Sequence, residues 1–325
     1  MVITRTPLRI SFVGGGSDME CFYSEDAGAV VSATISKYIY INVNKLFNKK
    51  IRASYSVTEE VSRPAEIAHP LIRSALKMYG IENSIEISSM ADIPKGTGLG
   101  SSSAFTVGLI KALSAYLKKE IDPGELAQKA CDIEINMCGE PIGKQDQYSA
   151  ATGGFNQFTF NKNGTVTSES IFCDPVNISK IENHILLFYT GISRKSSEVL
   201  RAQKLKIESN GEAFEAISKM KGLCAPFISA LKESNLPKMG EILHENWVLK
   251  RSVDKLISNP QIDSWYQLAR DEGAYGGKLL GAGNGGFLMF LASPDRHQAI
   301  KNKLKELIPF SFHFEFGGSR LVYQD

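Results

Sequence analysis

The sequence predicts an α+β protein of two domains, and three observations support this fold class. The chain has 325 residues, of which 43% are hydrophobic and 22% are charged, as in ordinary globular proteins of two domains. Strand signals dominate the first third and helix signals dominate the second half, which indicates an α+β class. A stretch around residues 174–180, which we predict as a polar loop, separates these regions. We therefore expect a first domain of residues 1–180 and a second of residues 181–325.

The strands and the first helix of domain one follow from local patterns. RISFVGGG, residues 9–16, is typical of a strand stopped by glycines. AVVSATISKYIYINVNK, residues 29–45, is rich in β-branched and aromatic side chains, and SIEISS, residues 84–89, alternates as a strand does. AHPLIRSALKMYG, residues 68–80, predicts a helix with a proline in its first turn and a glycine at its end.

Two further helices and the second domain complete the predicted order. Apolar spacing predicts a helix over residues 105–117 that begins near Ser102, and Asp122 with Pro123 starts the next helix. In the second half, we predict one strand, then two helices, then two closing strands. The strands are HILLFY (184–189), FLMFLA (287–292) and FHFEF (312–316), and the helices span 194–220 and 223–233.

Composition limits the classes of partner. The formal net charge is +2, which provides no basic surface for nucleic acid and no attraction to a membrane. No apolar run approaches the ~20 residues of a spanning helix, and the N-terminus lacks the layout of a signal peptide. The 5 cysteines form no CxxC pattern, so neither a disulfide framework nor a zinc site is expected. We expect a cytoplasmic protein with a small-molecule partner. The composition leaves open whether the chain forms a homodimer.

Three glycine-rich segments are candidate ligand loops: GGGSD (14–18), PKGTGLGSSSA (94–104) and GAGNGG (281–286). GAGNGG matches GxGxxG, but a strand-like segment follows it where a dinucleotide site requires a helix. PKGTGLGSSSA lies between a predicted strand and a predicted helix. Free N–H groups and the helix dipole at such a junction favour an anion, and serine hydroxyls can bind phosphate or magnesium. The alternative is a serine-capped helix after a glycine turn.

Three carboxylates could serve phosphoryl transfer, which needs charge neutralisation and often a group that accepts the acceptor's proton. They are Asp18, Glu134 and Asp146. Glu134 has small neighbours one helical turn away, so it is either buried with a partner or a solvated edge residue. Lys144 precedes Asp146 and would help to keep it ionised. The alternative for Asp146 is an N-cap of a short helix.

Together these segments resemble the GHMP kinases, the superfamily of galactokinase, homoserine kinase, mevalonate kinase and phosphomevalonate kinase. PLRISFVGGGSD (7–18) is similar to the first motif, PKGTGLGSSSA (94–104) to the second, and KLLGAGNGGFL (278–288) to the third. Asn284 stands where a glycine is more usual, and asparagine tolerates the left-handed backbone better than most residues.

The resemblance implies a fold and a set of site residues. The fold is a ribosomal-protein-like α+β domain followed by a ferredoxin-like α+β domain. Asp146 would be the catalytic base, with positive charge from Arg9 and Lys144, and Ser102 with Glu134 would hold Mg²⁺. The ATP phosphates would lie against Pro94, Gly96, Thr97, Gly98, Leu99, Gly100, Ser101, Ser102 and Ser103.

A narrower resemblance concerns the acceptor. GEPIGKQDQYSAATGGFNQF, YTGISRKSSEVL and LHENWVLKRS are similar to the members that phosphorylate D-glycero-D-manno-heptose 7-phosphate. The implied reaction is ATP-dependent phosphorylation of the anomeric hydroxyl to the 1,7-bisphosphate, toward nucleotide-activated heptose for lipopolysaccharide, capsule or surface-layer glycans. The alternatives are a kinase for fucose, mannose or galactose, and a non-catalytic sugar sensor.

Predicted acceptor contacts come from three places. The sugar would contact Gly15, Gly16, Ser17, Asp18 and Gly283. Its remote phosphate would bind Ser193, Arg194 and Lys195 at a predicted helix N-terminus. A basic solvated turn is the alternative there, and Lys250 with Arg251 is a weaker candidate for the phosphate.

Overall fold

The computed structural model describes residues 1–192 and 196–325, and its strands form two sheets. The strands are β1 (Val2–Val13), β2 (Gly28–Lys45), β3 (Ile51–Ser54), β4 (Thr58–Val61), β5 (Ile85–Ala91), β6 (Phe155–Phe160), β7 (Val166–Ser170), β8 (Ile185–Tyr189), β9 (Ala274–Leu279), β10 (Phe287–Ala292), β11 (Ile308–Phe310) and β12 (Arg320–Gln324). Sheet one has eight strands and sheet two has four among the described residues.

Helices cover both sheets. They are α1 (Glu20–Tyr23), α2 (Pro70–Tyr79), α3 (Ser101–Tyr116), α4 (Pro123–Cys131), α5 (Gln145–Thr152), α6 (Pro175–Glu182), α7 (Ser196–Ser209), α8 (Gly211–Gly222), α9 (Cys224–Lys232), α10 (Leu236–Val253), α11 (Pro260–Asp271) and α12 (His297–Lys303). A π-helical segment, Asp132–Met137, extends α4. None of the described helices combines the length and apolar character needed to cross a membrane.

The long strand β2 organises sheet one. It pairs antiparallel with β1, while its residues 39–45 pair with β5 and its residues 28–33 pair with β6. The path through the sheet is β12-β1-β2-β5-β3-β4, with β6 and β7 branching from β2. Sheet two is antiparallel in the order β11-β8-β10-β9. The mixture of strands and helices confirms the α+β class.

The chain ends in the sheet where it began. β12 pairs antiparallel with β1, so that Val2 lies opposite Gln324. The second sheet starts with β8, shortly after residue 180, whereas β12 returns to the first sheet. The domain boundary between residues 180 and 181 therefore stays a prediction. β12 follows this boundary in the chain, yet it pairs with the sheet of the first domain.

Several local predictions are confirmed. α2 begins at Pro70, and Gly80 caps its C-terminal end with a left-handed φ of +64°. Asp122 caps α4 by accepting hydrogen bonds from the N–H groups of Gly124 and Glu125. α3 follows Gly100, whose φ is +75°, and no side chain caps it. A serine-capped helix is therefore not what the structure contains.

Three local predictions are wrong, each for a physical reason. The stretch predicted as a polar loop forms α6, because Asp174 caps a helix that Pro175 begins. The helix predicted over 194–220 is divided within its described part, since Asn210 caps a new helix, α8. FHFEF makes one bridge, from Phe314 to Ile35. The N–H groups of His313 and Phe314 donate to side chains, the Ser36 hydroxyl and the Glu182 carboxylate, and so they do not extend a strand ladder.

Candidate active site

A cavity of about 610 Å³ lies between the two sheets, and three glycine-rich loops approach it. We call residues 94–103 the serine loop, residues 14–18 the aspartate loop and residues 280–286 the third loop. The cavity is also lined by the carboxylates of Glu134 and Asp146 and by the cations of Lys250 and Lys278. Residues that are distant in sequence thus converge on one cleft.

The serine loop turns its backbone by alternate left-handed glycines. The φ angles of Gly96, Gly98 and Gly100 are +80°, +86° and +75°, which L-residues with side chains rarely adopt. α3 begins directly after Gly100, so its first N–H groups have no partner within the helix. Together with the helix dipole, this backbone forms a surface suited to an anion.

The third loop supports the serine loop by backbone contact. A Cβ atom on Gly98 would lie 2.3 Å from the Leu280 carbonyl oxygen, and one on Gly286 would lie 2.3 Å from that of Thr97. Asn284 adopts φ +57°, which confirms the expectation that asparagine serves in place of glycine there. The N–H of Asn284 donates to the Ile257 carbonyl at 2.6 Å.

Arg9 joins the serine loop to Asp146. Its Nε and Nη2 atoms donate to the two carboxylate oxygens of Asp146 at 2.8 Å and 2.7 Å, and its Nη1 donates to the Gly98 carbonyl at 2.7 Å. This bidentate geometry orients a carboxylate strongly. Arg9 is buried and the side chain of Asp146 is 27% exposed. The carboxylate can therefore reach a bound molecule while Arg9 fixes its orientation.

Asp18 forms a second acidic group beside Asp146. Its oxygens accept from the N–H groups of Gly16 at 3.0 Å and Gln145 at 3.2 Å. Burial and then the negative charge of Asp146 raise the pKa of Asp18, and the backbone hydrogen bonds oppose this. Two carboxylates at one end of a cleft can accept hydrogen bonds from sugar hydroxyls.

Glu134 projects from the π-helical segment toward the serine loop. The Ser102 hydroxyl donates to its Oε1 at 3.1 Å, and the Gln147 amide donates to its Oε2. Glu134 is 1% exposed, and this burial raises its pKa to about 7, against the hydrogen bonds from Ser103, Gln147 and Ser102. The side chain is thus buried with partners and is not a solvated edge residue.

The pair of Ser102 and Glu134 fits a magnesium ion that also binds phosphate. Mg²⁺ is typically held by one or two carboxylates together with phosphate oxygens and water. A buried carboxylate with a hydroxyl at 3.1 Å supplies such a donor set. In residues 1–192 and 196–325, no three His, Cys, Asp or Glu side chains gather into a metal cage.

Three predicted site residues have other roles in the structure. The Lys144 ammonium donates to the Gly164 carbonyl at 2.6 Å, on the hairpin between β6 and β7, and it makes no ion pair with Asp146, whose partner is Arg9. Ser17 is 0% exposed and binds Gly14 and Ala29, so it shapes the aspartate loop and does not contact a sugar. Gly283 packs against Ile257 and is likewise buried.

The predicted binders of the remote phosphate, Ser193, Arg194 and Lys195, lie outside the described residues. The weaker candidates for this phosphate, Lys250 and Arg251, have different positions in the structure. The Lys250 ammonium lines the cleft and donates to the Gly281 carbonyl at 2.6 Å. Arg251 instead donates to Asp263 at 2.8 Å.

Sequence reasoning missed two kinds of residue. Lys278 is buried in the cleft at the end of β9. The sequence signal for it was a single lysine within AYGGKLL, a segment that is otherwise apolar or rich in glycine. Ser11 and Gln145 were also missed. The Ser11 hydroxyl donates to Gln145 at 3.0 Å, which supports the residue before Asp146, and no local pattern distinguishes this pair.

Comparison with known proteins identifies relatives along nearly the whole chain. The model of the GHMP kinases N terminal domain matches residues 66–154, and that of the GHMP kinases C terminal domain matches residues 227–309. The chain is 31% identical over 316 residues to a D-glycero-alpha-D-manno-heptose 7-phosphate kinase of Campylobacter jejuni, with 93% of each chain covered. It is 26% identical to a galactokinase of Pyrococcus furiosus, covering 92% of this chain and 91% of that one.

Solved structures show the same fold. A D-glycero-D-manno-heptose 1-phosphate kinase from Bacteroides thetaiotaomicron superposes with a TM-score of 0.84 at 25% identity, with 100% of both chains covered. A galactokinase of Lactococcus lactis, solved with galactose, superposes with a TM-score of 0.76 at 17% identity, covering 98% of this chain and 94% of that one. With two family models and a 31% identical relative over 93% of its length, this chain belongs to the GHMP kinase family.

Proposed function

We propose that this GHMP sugar kinase transfers the γ-phosphoryl group of ATP to the anomeric hydroxyl of D-glycero-D-manno-heptose 7-phosphate. The observation that carries the proposal is the carboxylate of Asp146, which lines the cleft and is held there by two hydrogen bonds from Arg9. Kinases of this family use ATP as the phosphate donor. The product would be the 1,7-bisphosphate with ADP.

The anion-binding end of the cleft supports this reaction. The serine loop and the start of α3 offer backbone N–H groups to the ATP phosphates. Ser102 and Glu134 would hold Mg²⁺, which supplies positive charge that offsets the charge of the phosphates. The third loop packs against the serine loop through backbone atoms and so supports the shape of the phosphate-binding surface.

The acceptor end supplies the base. Asp146 would accept a hydrogen bond from the anomeric hydroxyl and take its proton as the new phosphorus–oxygen bond forms. The Arg9 guanidinium orients the carboxylate through two hydrogen bonds. Asp18 and the backbone of Gly15 and Gly16 line the same end of the cleft and would hold other sugar hydroxyls.

The heptose assignment depends on the relatives. The 31% identical Campylobacter jejuni kinase is named for heptose 7-phosphate, whereas the Bacteroides thetaiotaomicron structure is named for heptose 1-phosphate. A galactose-type kinase is the second candidate, since the Pyrococcus furiosus galactokinase aligns over 92% of this chain. We favour heptose 7-phosphate because that relative is the most identical of these.

An acceptor panel tests the proposal. The purified protein receives ATP and Mg²⁺ with heptose 7-phosphate, heptose 1-phosphate, galactose, fucose or mannose, and phosphorus NMR identifies the phosphorylated position. We expect efficient turnover with heptose 7-phosphate alone, at the anomeric oxygen. The Asp146→Asn variant is the control, with turnover reduced about 10³-fold and ATP binding retained. Efficient turnover of a free hexose but not heptose 7-phosphate would contradict the assignment.

A further inference from the structure

Lys278 is a buried cation that the proposed mechanism does not use. Its side chain is 2% exposed and lines the cleft, and its ammonium donates to the Phe12 carbonyl at 2.8 Å. No carboxylate of residues 1–192 or 196–325 lies within 4.0 Å of it. A buried ammonium without a nearby carboxylate is costly, so this position destabilises the ligand-free fold.

Lys250 brings a second ammonium to the same place. It lies on α10, is 7% exposed, and donates to the Gly281 carbonyl at 2.6 Å. Burial first, and then the positive charges of Lys250 and Arg9, lower the pKa of Lys278 well below its usual range. The three cations are therefore close enough to repel one another, which an anion between them would relieve.

The contacts of these cations place them at the serine loop. Arg9 donates to the Gly98 carbonyl, and Gly98 packs directly against Gly281, whose carbonyl accepts from Lys250. The Arg9 and Lys250 side chains thus flank the point where the serine loop meets the third loop. Lys278 precedes the third loop on β9 and binds β1 close to the aspartate loop, so it lies between the ATP end and the acceptor end.

We propose that Lys278 and Lys250 are catalytic cations that neutralise the phosphoryl group while it moves from ATP to the sugar. This inference rests on the proposed kinase function of the cleft, and it assigns to these lysines the charge that was expected from Lys144. In the step, the bond between the γ-phosphorus and the β–γ bridging oxygen breaks and ADP leaves. A bond from the sugar oxygen to phosphorus forms, and the hydroxyl proton goes to Asp146.

Both lysines come from the second half of the chain, whereas Arg9 and Asp146 come from the first. Electrostatic stabilisation by fixed cations is largest in a site that excludes water. We therefore expect the lysines to act on the transition state more than on binding of ATP or sugar, which predicts a loss in kcat larger than the change in either KM.

The test measures kcat and both KM values for Lys278→Met and Lys250→Met, using the acceptor that the wild-type protein phosphorylates best. We expect each variant to lose about 10²–10³-fold in kcat with KM changes below about threefold. Binding of ADP with aluminium fluoride, Mg²⁺ and acceptor should weaken strongly, while binding of a non-hydrolysable ATP analogue should change little. Lys278→Arg should recover part of the activity.

Two controls separate catalysis from folding. Lys278→Met should keep or raise Tm, because it removes a buried charge; a purely structural lysine would instead lower it. Lys238→Met, on an exposed part of α10 where Lys238 pairs with Glu241, should leave kcat unchanged.

Several results would overturn the proposal. Unchanged kcat in both lysine variants would do so. A loss that is confined to phosphate-bearing acceptors and appears in KM would assign the lysines to the acceptor's own phosphate instead. Because the acceptor is chosen by wild-type turnover, failure of the heptose assignment leaves this test intact.

Discussion

At the scale of single residues, Glu134 shows how burial determines the chemistry of a carboxylate. The side chain is almost inaccessible, and its pKa is raised to about 7 from the usual 4.5. In the metal-free protein the folded state therefore binds the proton more tightly than the unfolded state does. The resulting stabilisation is complete below pH 4.5 and is lost as the pH rises through about 7.

This sign predicts the behaviour of Glu134→Gln. In EDTA, the variant should match wild type in stability near pH 4.5 and exceed it at pH 8, by on the order of 3 kcal/mol. Thermal unfolding of both proteins across this pH range measures the difference. Mg²⁺ with ATP should raise Tm of the wild type more than that of the variant. Parallel stability curves across the whole pH range would contradict the shifted pKa.

At the scale of elements, the junction of the serine loop and the third loop determines the shape of the phosphate-binding surface. Gly98 combines φ +86° with a contact of its ideal Cβ position to the Leu280 carbonyl at 2.3 Å. Gly80 also has positive φ, +64°, but has nothing within 4 Å. Comparison of the two glycines therefore separates the cost of backbone strain from the cost of steric contact.

We predict different costs for alanine at these positions. Gly80→Ala should lose about 1 kcal/mol of stability, from backbone strain alone, and keep full activity. Gly98→Ala should lose more stability, because the loops must separate, and its KM for ATP should rise at least about tenfold. Urea unfolding and steady-state kinetics measure both effects. Equal costs for the two variants would show that the loop contact is unimportant.

At the scale of the whole molecule, the two ends of the chain share one sheet edge. β12 covers β1 along Val2 to Arg5, while Arg9 lies further along β1 toward the cleft. Stability of the first sheet and geometry of the active site are therefore linked through one strand but located at different parts of it.

Removal of residues 320–325 tests this separation. The outer edge of β1 would lose its partner, and we expect a loss of about 2–4 kcal/mol in unfolding free energy with a greater tendency to aggregate. At low temperature kcat should stay close to wild type, because Arg9 keeps its contacts. Removal of Asp325 alone is the matched control and should have little effect. A large loss of kcat in the folded truncated protein would show that the strand also positions Arg9.

Local chemistry explains why much of this protein can be predicted from its residues. Glycines before a serine-rich helix start, a helix begun by proline and capped by aspartate, and the order of three motifs all depend on neighbours in sequence. They suffice for the α+β class. The resemblance to the GHMP kinases, which the order of the motifs carries, is what assigns Arg9, Asp146, Glu134 and Ser102 to one site, and the structure brings all four to one cleft.

The tertiary structure decided which charges reach that cleft. Lys144 lies two positions before Asp146 in sequence, yet its ammonium binds Gly164, whereas Lys278 lies 132 positions after Asp146 and enters the cleft. The direction of a side chain depends on strand pairing and helix packing between distant segments, and local spacing carries no information about these. For the same reason, only the folded chain revealed that its last strand joins its first.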